Sequence, residues 1–216
     1  MRLRLAAAAS IASFLLPPSS SLLAQAAPAP ASAAKPDLSL PAARAINLDT
    51  DEGTWISLDV SPDGRTIAFD VLGDLYTMPI TGGTATQLTK GMQYDAQPRF
   101  SPDGKLVVFT SDKDGGDNVW TIDVATKQTK QITKGKTNRY RSPEWTPDGV
   151  YIVVSRAPSP IGPSKPWMFH KDGGSGIQLV RDPAPIPGGQ FPLSLVGAAF
   201  GKDDRYIWFA QRNGAW

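Results

Sequence analysis

Short segments of alternating hydrophobic and polar residues follow one another along the chain from about residue 55. Ile56, Leu58 and Val60 alternate with polar residues, and Ile67 and Phe69 repeat the same spacing a few residues later. A period of two places successive side chains on opposite faces of an extended strand. The pattern predicts β-strands with one buried face, whereas no convincing amphipathic helix is found after the N-terminal segment.

A four-residue turn motif precedes one strand of each predicted unit. Proline presets φ for a turn, aspartate accepts a hydrogen bond from nearby backbone, and glycine takes a positive φ at little cost. We therefore expect the turn geometry to be fixed by nine residues, namely Pro62, Asp63, Gly64, Pro102, Asp103, Gly104, Pro147, Asp148 and Gly149. A degenerate fourth copy occupies residues 201–205.

The spacing of this motif predicts the architecture. Its copies begin at residues 61, 101, 146 and 201, so they are 40, 45 and 55 residues apart. A repeat near forty residues is typical of the four-stranded blades of a β-propeller. We predict an all-β fold, a partial β-propeller with antiparallel blades at about 54–90, 92–134 and 141–181 and the start of a fourth at 195–216.

The first two units share more than the turn. Leu75-Tyr76 in the first corresponds to Val119-Trp120 in the second, and Leu88-Thr89 corresponds to Ile132-Thr133. With the S-P-D-G turn, these residues resemble the TolB-type propeller repeat over roughly residues 55–216.

A narrower resemblance rests on three segments of the first two units, residues 52–60, 70–76 and 115–120. Together they are similar to the N-terminal propeller that precedes a metal-dependent amidohydrolase domain in periplasmic fusion proteins. The catalytic histidines and metals of that family lie in its second domain, and no position of this chain matches them. The resemblance therefore implies a hydrolase activity for a parent protein and none for these residues.

The N-terminus reads as an export signal. Arg2 and Arg4 precede an apolar stretch that is too short to span a bilayer, and cleavage is expected near Ala26. Residues 1–26 are thus a predicted signal peptide and 27–43 an Ala/Pro-rich tether ahead of a propeller at 44–216. The absence of cysteine fits a bacterial periplasm.

Charge argues against a nucleic-acid partner. Loss of Arg2 and Arg4 lowers Lys+Arg from 22 to 20, which equals the 20 Asp+Glu residues. A nucleic-acid-binding protein would carry a basic stripe instead. A membrane span is not expected either.

The inventory of side chains predicts no catalytic residue, cofactor or metal site in this chain. His170 is the single histidine, and Gly173-Gly174-Ser175-Gly176-Ile177 lacks the last glycine of a nucleophile elbow. The carboxylates Asp112, Asp114 and Asp117 suggest a calcium loop, but the glycine and glutamate that an EF-hand requires are missing. A solvated hairpin is the favoured interpretation.

Two proline-rich insertions, residues 157–166 and 182–192, interrupt the third unit and the connection to the fourth. Inserted loops on a rigid scaffold often carry binding surfaces, although insertions without a role are equally expected. Trp167 and His170 lie beside the first insertion and are the candidate binding residues; for His170 a packed or surface role is the alternative.

Three functions fit these observations. The first is a non-catalytic propeller segment that binds or gates substrate for a downstream amidohydrolase-type domain missing from this chain. The alternatives are an envelope protein-interaction scaffold of the TolB type and a propeller ahead of a serine peptidase domain. The predicted partners are the rest of the propeller, a downstream domain and a peptide or protein ligand.

Overall fold

A computed structural model describes residues 49–159, 162–181, 194–201 and 205–212. These residues form fourteen strands: β1 (Leu58–Val60), β2 (Thr66–Val71), β3 (Asp74–Pro79), β4 (Thr86–Gln87), β5 (Asp95–Phe100), β6 (Leu106–Ser111), β7 (Asn118–Asp123), β8 (Thr129–Gln131), β9 (Arg139–Trp145), β10 (Tyr151–Ala157), β11 (Lys165–His170), β12 (Ile177–Gln178), β13 (Ser194–Phe200) and β14 (Ile207–Arg212).

The strands pair in chain order into four antiparallel sheets. Three sheets have four strands each, β1–β4, β5–β8 and β9–β12, and a two-stranded sheet joins β13 to β14. The first strands of successive sheets, β1, β5, β9 and β13, contact one another in turn. The predicted all-β fold, with three four-stranded blades and the start of a fourth, is confirmed.

The repeated turn is closed by one hydroxyl and one carboxylate. In the second copy, Ser101 donates its hydroxyl hydrogen to Asp103 Oδ1 at 2.6 Å, and its oxygen accepts the Leu106 N–H at 2.9 Å. The Lys105 N–H donates to the same Asp103 oxygen at 3.1 Å. Gly104 has a φ of 71°, which explains why glycine is needed there.

These bonds predict an acid-dependent contribution to stability. The Ser101 hydroxyl, followed by the Lys105 N–H, lowers the pKa of Asp103 below its usual value. The contribution is therefore present above the pKa of the unfolded chain and is lost as the pH falls through the folded-state pKa. We expect Asp103→Asn to flatten the decline of melting temperature as the pH falls below the pKa of an unfolded aspartate. Asp49→Asn, at an exposed position, is the control, and an unchanged acid decline in Asp103→Asn would contradict the argument.

Two hydrophobic clusters lie between neighbouring blades. The first, between blades one and two, consists of Ala68, Leu75, Leu88, Phe100, Val107, Phe109 and Ile122. The second, between blades two and three, consists of Val108, Val119, Ile132, Tyr140, Trp145, Ile152, Val154 and Phe169. Alternate residues of β6 thus serve both clusters, because Val107 and Phe109 point to one side of the sheet and Val108 to the other. Phe100, Phe109, Tyr140, Trp145 and Phe169 are thus packed between blades.

The outer faces of the first and last sheets are apolar and exposed. Leu58 in β1 is 54% exposed, and Tyr206 and Trp208 are 58% and 66% exposed. The alternation that buries one face of each middle sheet continues here without a described neighbour to cover it.

A β-bulge interrupts the first strand of blades two, three and four. The bulged residues are Gln97, Ser142 and Gly197, with φ of 59°, 51° and 65°. Each lies four residues before the turn position of its unit. A left-handed backbone at a non-glycine residue is uncommon and requires support from surrounding contacts.

The support comes from the preceding blade. The N–H of Gln97 donates to Asp70 Oδ2 at 2.7 Å, and the N–H of Ser142 donates to Gln97 Oε1 at 2.7 Å. The N–H of Gly197 donates to Ser155 Oγ at 3.0 Å. An acceptor oxygen of one blade therefore holds the bulge of the next blade at all three described boundaries.

Several predictions concern residues outside the described ranges. These are the signal peptide at 1–26, the tether at 27–43, the first residues of the predicted propeller at 44–48, the whole insertion at 182–192 and residues 202–204 of the fourth turn. In the described ranges, no helix combines the length and apolar character that crossing a bilayer requires.

Candidate functional site

One end of the blades is formed by the loops that join second to third strands and by those that join successive blades. We call residues 112–117 and 133–139 the loop face. The N–H of Tyr94 donates to Asp112 Oδ1 at 2.7 Å, and Asn118 Nδ2 donates to the Gly135 carbonyl at 2.8 Å. These contacts join the longest described hairpin of blade two to the connections on either side of it.

A cleft opens at the loop face between blades two and three. It consists of two adjoining hollows of about 440 and 410 Å³ that share Asn138. The first is lined by residues that include Thr133, Tyr140, Arg156, Phe169, Asp172 and Ser175. The second is lined by Asp112, Gly115, Gly116, Asp117, Lys136, Thr137 and Arg139. The floor of the first hollow is thus aromatic and its rim is polar.

Two arginines organise the cleft. Arg139 Nε lies 2.8 Å from Asp117 Oδ2 and joins blade three to blade two. Arg156 donates from Nε and Nη2 to Asn138 Oδ1, both at 3.2 Å, and its guanidinium carbon lies 4.1 Å from the centre of the Trp167 ring. A guanidinium held by an amide and an aromatic ring keeps further N–H groups for an incoming oxygen.

The aromatic floor is rigid. Tyr140 is 4% exposed and meets Phe169 edge to face, with ring centres 5.9 Å apart. Burial raises the pKa of the Tyr140 hydroxyl, although the nearby Arg156 charge opposes that shift. The phenol is therefore neutral at physiological pH, and the charged groups of the cleft, of both signs, lie on its rim.

Residues 58–185 match the family described as the Tricorn protease N-terminal β-propeller domain, which is more than half of the chain. The chain belongs to this family.

Relatives of the propeller support the same assignment. Tricorn protease homolog 1 of Streptomyces coelicolor is 32% identical over 94 residues, which are 44% of this chain and 9% of that protein. TolB from Acinetobacter baumannii has 25% sequence identity and a TM-score of 0.55, over 73% of this chain and 38% of that one. Puromycin hydrolase has a TM-score of 0.52 at 17% identity, over 68% and 26%, and shows the fold alone.

These findings separate the two resemblances drawn from the sequence. The TolB-type propeller is confirmed as a fold, within the tricorn family of propellers. The narrower likeness to amidohydrolase fusions gains no support from these relatives. The propeller chain spans only a small part of each relative, so the activity of a whole protein is a matter for proposal.

The structure places both candidate binding residues on β11. Trp167 stacks on Phe169 at 6.1 Å and reaches the cleft through Arg156. His170 ends the strand, meets the Tyr151 ring edge to face at 5.5 Å, and accepts the Asp172 N–H at Nδ1. Since Nδ1 is an acceptor there, its 3.6 Å approach to the Asp172 carboxylate is not a hydrogen bond. A binding role for either residue stays a prediction.

Asn138, Arg139 and Arg156 were not among the residues predicted from the sequence. Only Arg156 could have been noticed from the sequence, because it is the one charged residue of the strand Tyr151–Ala157. Asn138 and Arg139 belong to a connection whose role depends on which loops meet there, and no local pattern records that.

The carboxylates of the acidic hairpin in blade two already accept hydrogen bonds from other groups of the protein. Asp112 accepts the Tyr94 N–H, Asp117 pairs with Arg139, and Asp114 accepts from Asn118 Nδ2 at 2.9 Å and from Gln131 Nε2 at 2.6 Å. Within the described ranges, no group of three or more histidine, cysteine, aspartate or glutamate side chains is arranged to hold a metal ion. These carboxylates therefore stabilise the hairpin and the seam, by which we mean the boundary between adjacent blades.

The loop face also contains a close backbone approach. A Cβ at Gly116 would lie 2.2 Å from the Gly135 carbonyl oxygen and 2.9 Å from Lys136 Cα, so the two loops would have to separate. We expect Gly116→Ala to lower the free energy of unfolding by about 2 kcal/mol. Gly115→Ala is the matched control: nothing lies within 4 Å of its Cβ, and only its φ of 87° is unfavourable. The control should cost about 1 kcal/mol. Urea denaturation measures both, and equal losses would show that the close approach is not limiting.

Proposed function

We propose that this propeller binds peptide segments and orients or gates them for a peptidase domain of the same protein. The observation that carries the proposal is the match of residues 58–185 to the propeller of tricorn protease. The sequence predicts no catalytic residue in this propeller, so the role we propose for it is access and positioning.

The cleft is chemically suited to peptide. Arg139, Arg156 and Asn138 present N–H groups along a rim above the buried rings of Tyr140 and Phe169. Peptide carbonyl and carboxylate oxygens are the acceptors that a guanidinium pairs with best. An apolar floor beneath a row of donors also accommodates a side chain and the backbone of an extended segment.

Two other functions stay as alternatives. A TolB-type interaction scaffold is favoured by the 25% identity to a TolB structure over 73% of the chain. The amidohydrolase association rests only on the likeness of residues 52–60, 70–76 and 115–120. Export to the periplasm, proposed from residues 1–26, is compatible with all three.

The proposal is tested on the full-length protein. Labelling by a fluorophosphonate probe together with hydrolysis of peptides would support a serine peptidase. Hydrolysis that resists the probe and is abolished by the transition-metal chelator 1,10-phenanthroline would favour an amidohydrolase instead. A protein that shows neither activity and captures envelope proteins would favour the scaffold.

The cleft itself has a separate test. We expect Arg139→Ala to raise KM for peptides about tenfold, which corresponds to the loss of roughly one charge-assisted hydrogen bond. Arg65→Ala removes the same charge from an exposed turn and is the control. An unchanged KM in the Arg139 variant, with peptidase activity present, would move peptide binding away from this cleft.

A further inference from the structure

The seams between blades differ at the first residue of the third strand. In blade two this residue is Asn118, which is fully buried. Its Nδ2 donates to the Gly135 carbonyl at 2.8 Å and to the Asp114 carboxylate at 2.9 Å, with the Gly116 carbonyl 3.2 Å away, and its Oδ1 accepts the Thr133 hydroxyl at 2.9 Å. An amide at this position therefore supplies a hydrogen to the Gly135 carbonyl, in the loop that leads into blade three.

Blade one has Asp74 at the same position. The equivalence is structural as well as sequential, because Leu75 N–H donates to Thr89 Oγ1 as Val119 N–H donates to Thr133 Oγ1, both at 2.9 Å. Asp74 Oδ2 accepts from Gln87 Nε2 at 2.9 Å, whereas Oδ1 is buried with no hydrogen-bond partner. A carboxylate has no hydrogen to give to the following loop.

A second carboxylate begins the adjoining strand. Asp95 is 1% exposed, and its N–H donates to the carbonyl of Gly73, the residue before Asp74, at 2.8 Å. Its Oδ2 accepts from Gln93 Nε2 at 3.1 Å, and its Oδ1 is buried without a partner. Gln93 is 7% exposed, and its Oε1 is unpartnered as well.

One seam thus contains three buried oxygens that lack donors, two of them on carboxylates. Leaving such groups unpaired costs several kcal/mol in general, roughly 1–3 per neutral group and more per charge. Burial, and then the nearby Asp95 charge, raise the pKa of Asp74. Among the side chains that the structure describes, neither carboxylate forms an ion pair with a lysine or arginine. The unpaired oxygens of Asp74 and Asp95 therefore favour a positively charged partner at this seam.

We propose that Asp74 and Asp95 bind a divalent cation, of which Ca²⁺ is the best fit, at the seam between blades one and two. Their free Oδ1 atoms are hard ligands, and amide, carbonyl and water oxygens complete the preferred shell of six to eight. The cation links the two blades as the Asn118 amide links blades two and three. Two carboxylates give a site of moderate strength, with a Kd on the order of 10⁻⁴ M.

Calorimetric titration of Ca²⁺ into the full-length protein in chelator-treated buffer is the direct test. We expect saturable binding and a melting temperature that rises by a few degrees at about 5 mM Ca²⁺, because the cation binds only the folded state. Sodium chloride at equal ionic strength is the control. A melting curve that responds equally to both salts, or no binding heat, overturns the proposal.

Asp74→Asn is the informative variant, since it places in blade one the residue that blade two already carries. It should fold, melt independently of Ca²⁺ and show no titration. Asp114→Asn removes a carboxylate whose two oxygens are already bonded and should keep the full Ca²⁺ response. If instead the wild-type protein ignores Ca²⁺ and gains stability as the pH falls towards 5, a proton shared between the carboxylates replaces the cation and the proposal is wrong.

Discussion

Replacing Phe109 with alanine is expected to lower the free energy of unfolding by about 3–5 kcal/mol. Phe109 is 2% exposed and belongs to the cluster between blades one and two. Both sheets are held in place by their own hydrogen bonds, so the space left by the ring cannot close readily. Loss of the transfer energy and creation of a cavity therefore add. Denaturant unfolding of the full-length protein measures the loss.

Phe69 is the matched control, because it occupies the same position relative to the turn in blade one. It is only partly buried and stacks on Tyr76 with ring centres 5.7 Å apart. We expect Phe69→Ala to cost about 1.5 kcal/mol, in proportion to the smaller area removed from water. An equally large loss for both variants would mean that another part of the full-length protein covers the outer face of blade one.

The second large effect is expected at Asp70. Its carboxylate is 6% exposed and accepts two backbone hydrogen bonds, from Ser57 N–H at 2.9 Å and from Gln97 N–H at 2.7 Å. Asp70→Ala removes both acceptors and leaves the bulge of blade two without its support. Since hydrogen bonds to charged groups contribute about 1.5–3 kcal/mol each, we expect a loss of about 3 kcal/mol.

Two further variants test whether the seam causes this loss. Asp70→Asn keeps one acceptor oxygen and should therefore lose about half as much unfolding free energy as Asp70→Ala. Ser155→Ala, which removes the neutral acceptor of Gly197 N–H at the third seam, should cost about 1 kcal/mol. If Asp70→Ala were no worse than Ser155→Ala, the charge of the acceptor would not matter, and the bulge would be held by packing alone.

The contrast between turn and seam shows what the sequence predicts. The turns were predictable because Pro102, Asp103 and Gly104 act on backbone within five residues of themselves. The strands were predictable because alternation is also local. The blade number and order followed from repetition, which requires no knowledge of contacts.

The cleft was not predictable by the same means. Arg139 meets Asp117 across 22 residues, and Ser142 meets Gln97 across 45. Such pairs are determined by how adjacent blades pack against each other. No local pattern in the sequence predicts them. The visible hint was a polar residue in an apolar strand, as at Asp70 and Arg156, and it indicates that a contact exists without naming the partner.

The three described seams use a carboxylate, an amide and a hydroxyl for one purpose, which is to accept the N–H of a left-handed residue. The fold thus requires an acceptor oxygen at this position, and that oxygen can belong to a carboxylate, an amide or a hydroxyl. Duplicated units can consequently lose their likeness at the seam while the ring geometry persists. Drift of this kind leaves each boundary with a hydrogen bond of different strength, so that the blades of one propeller can differ in how firmly each is joined to the next.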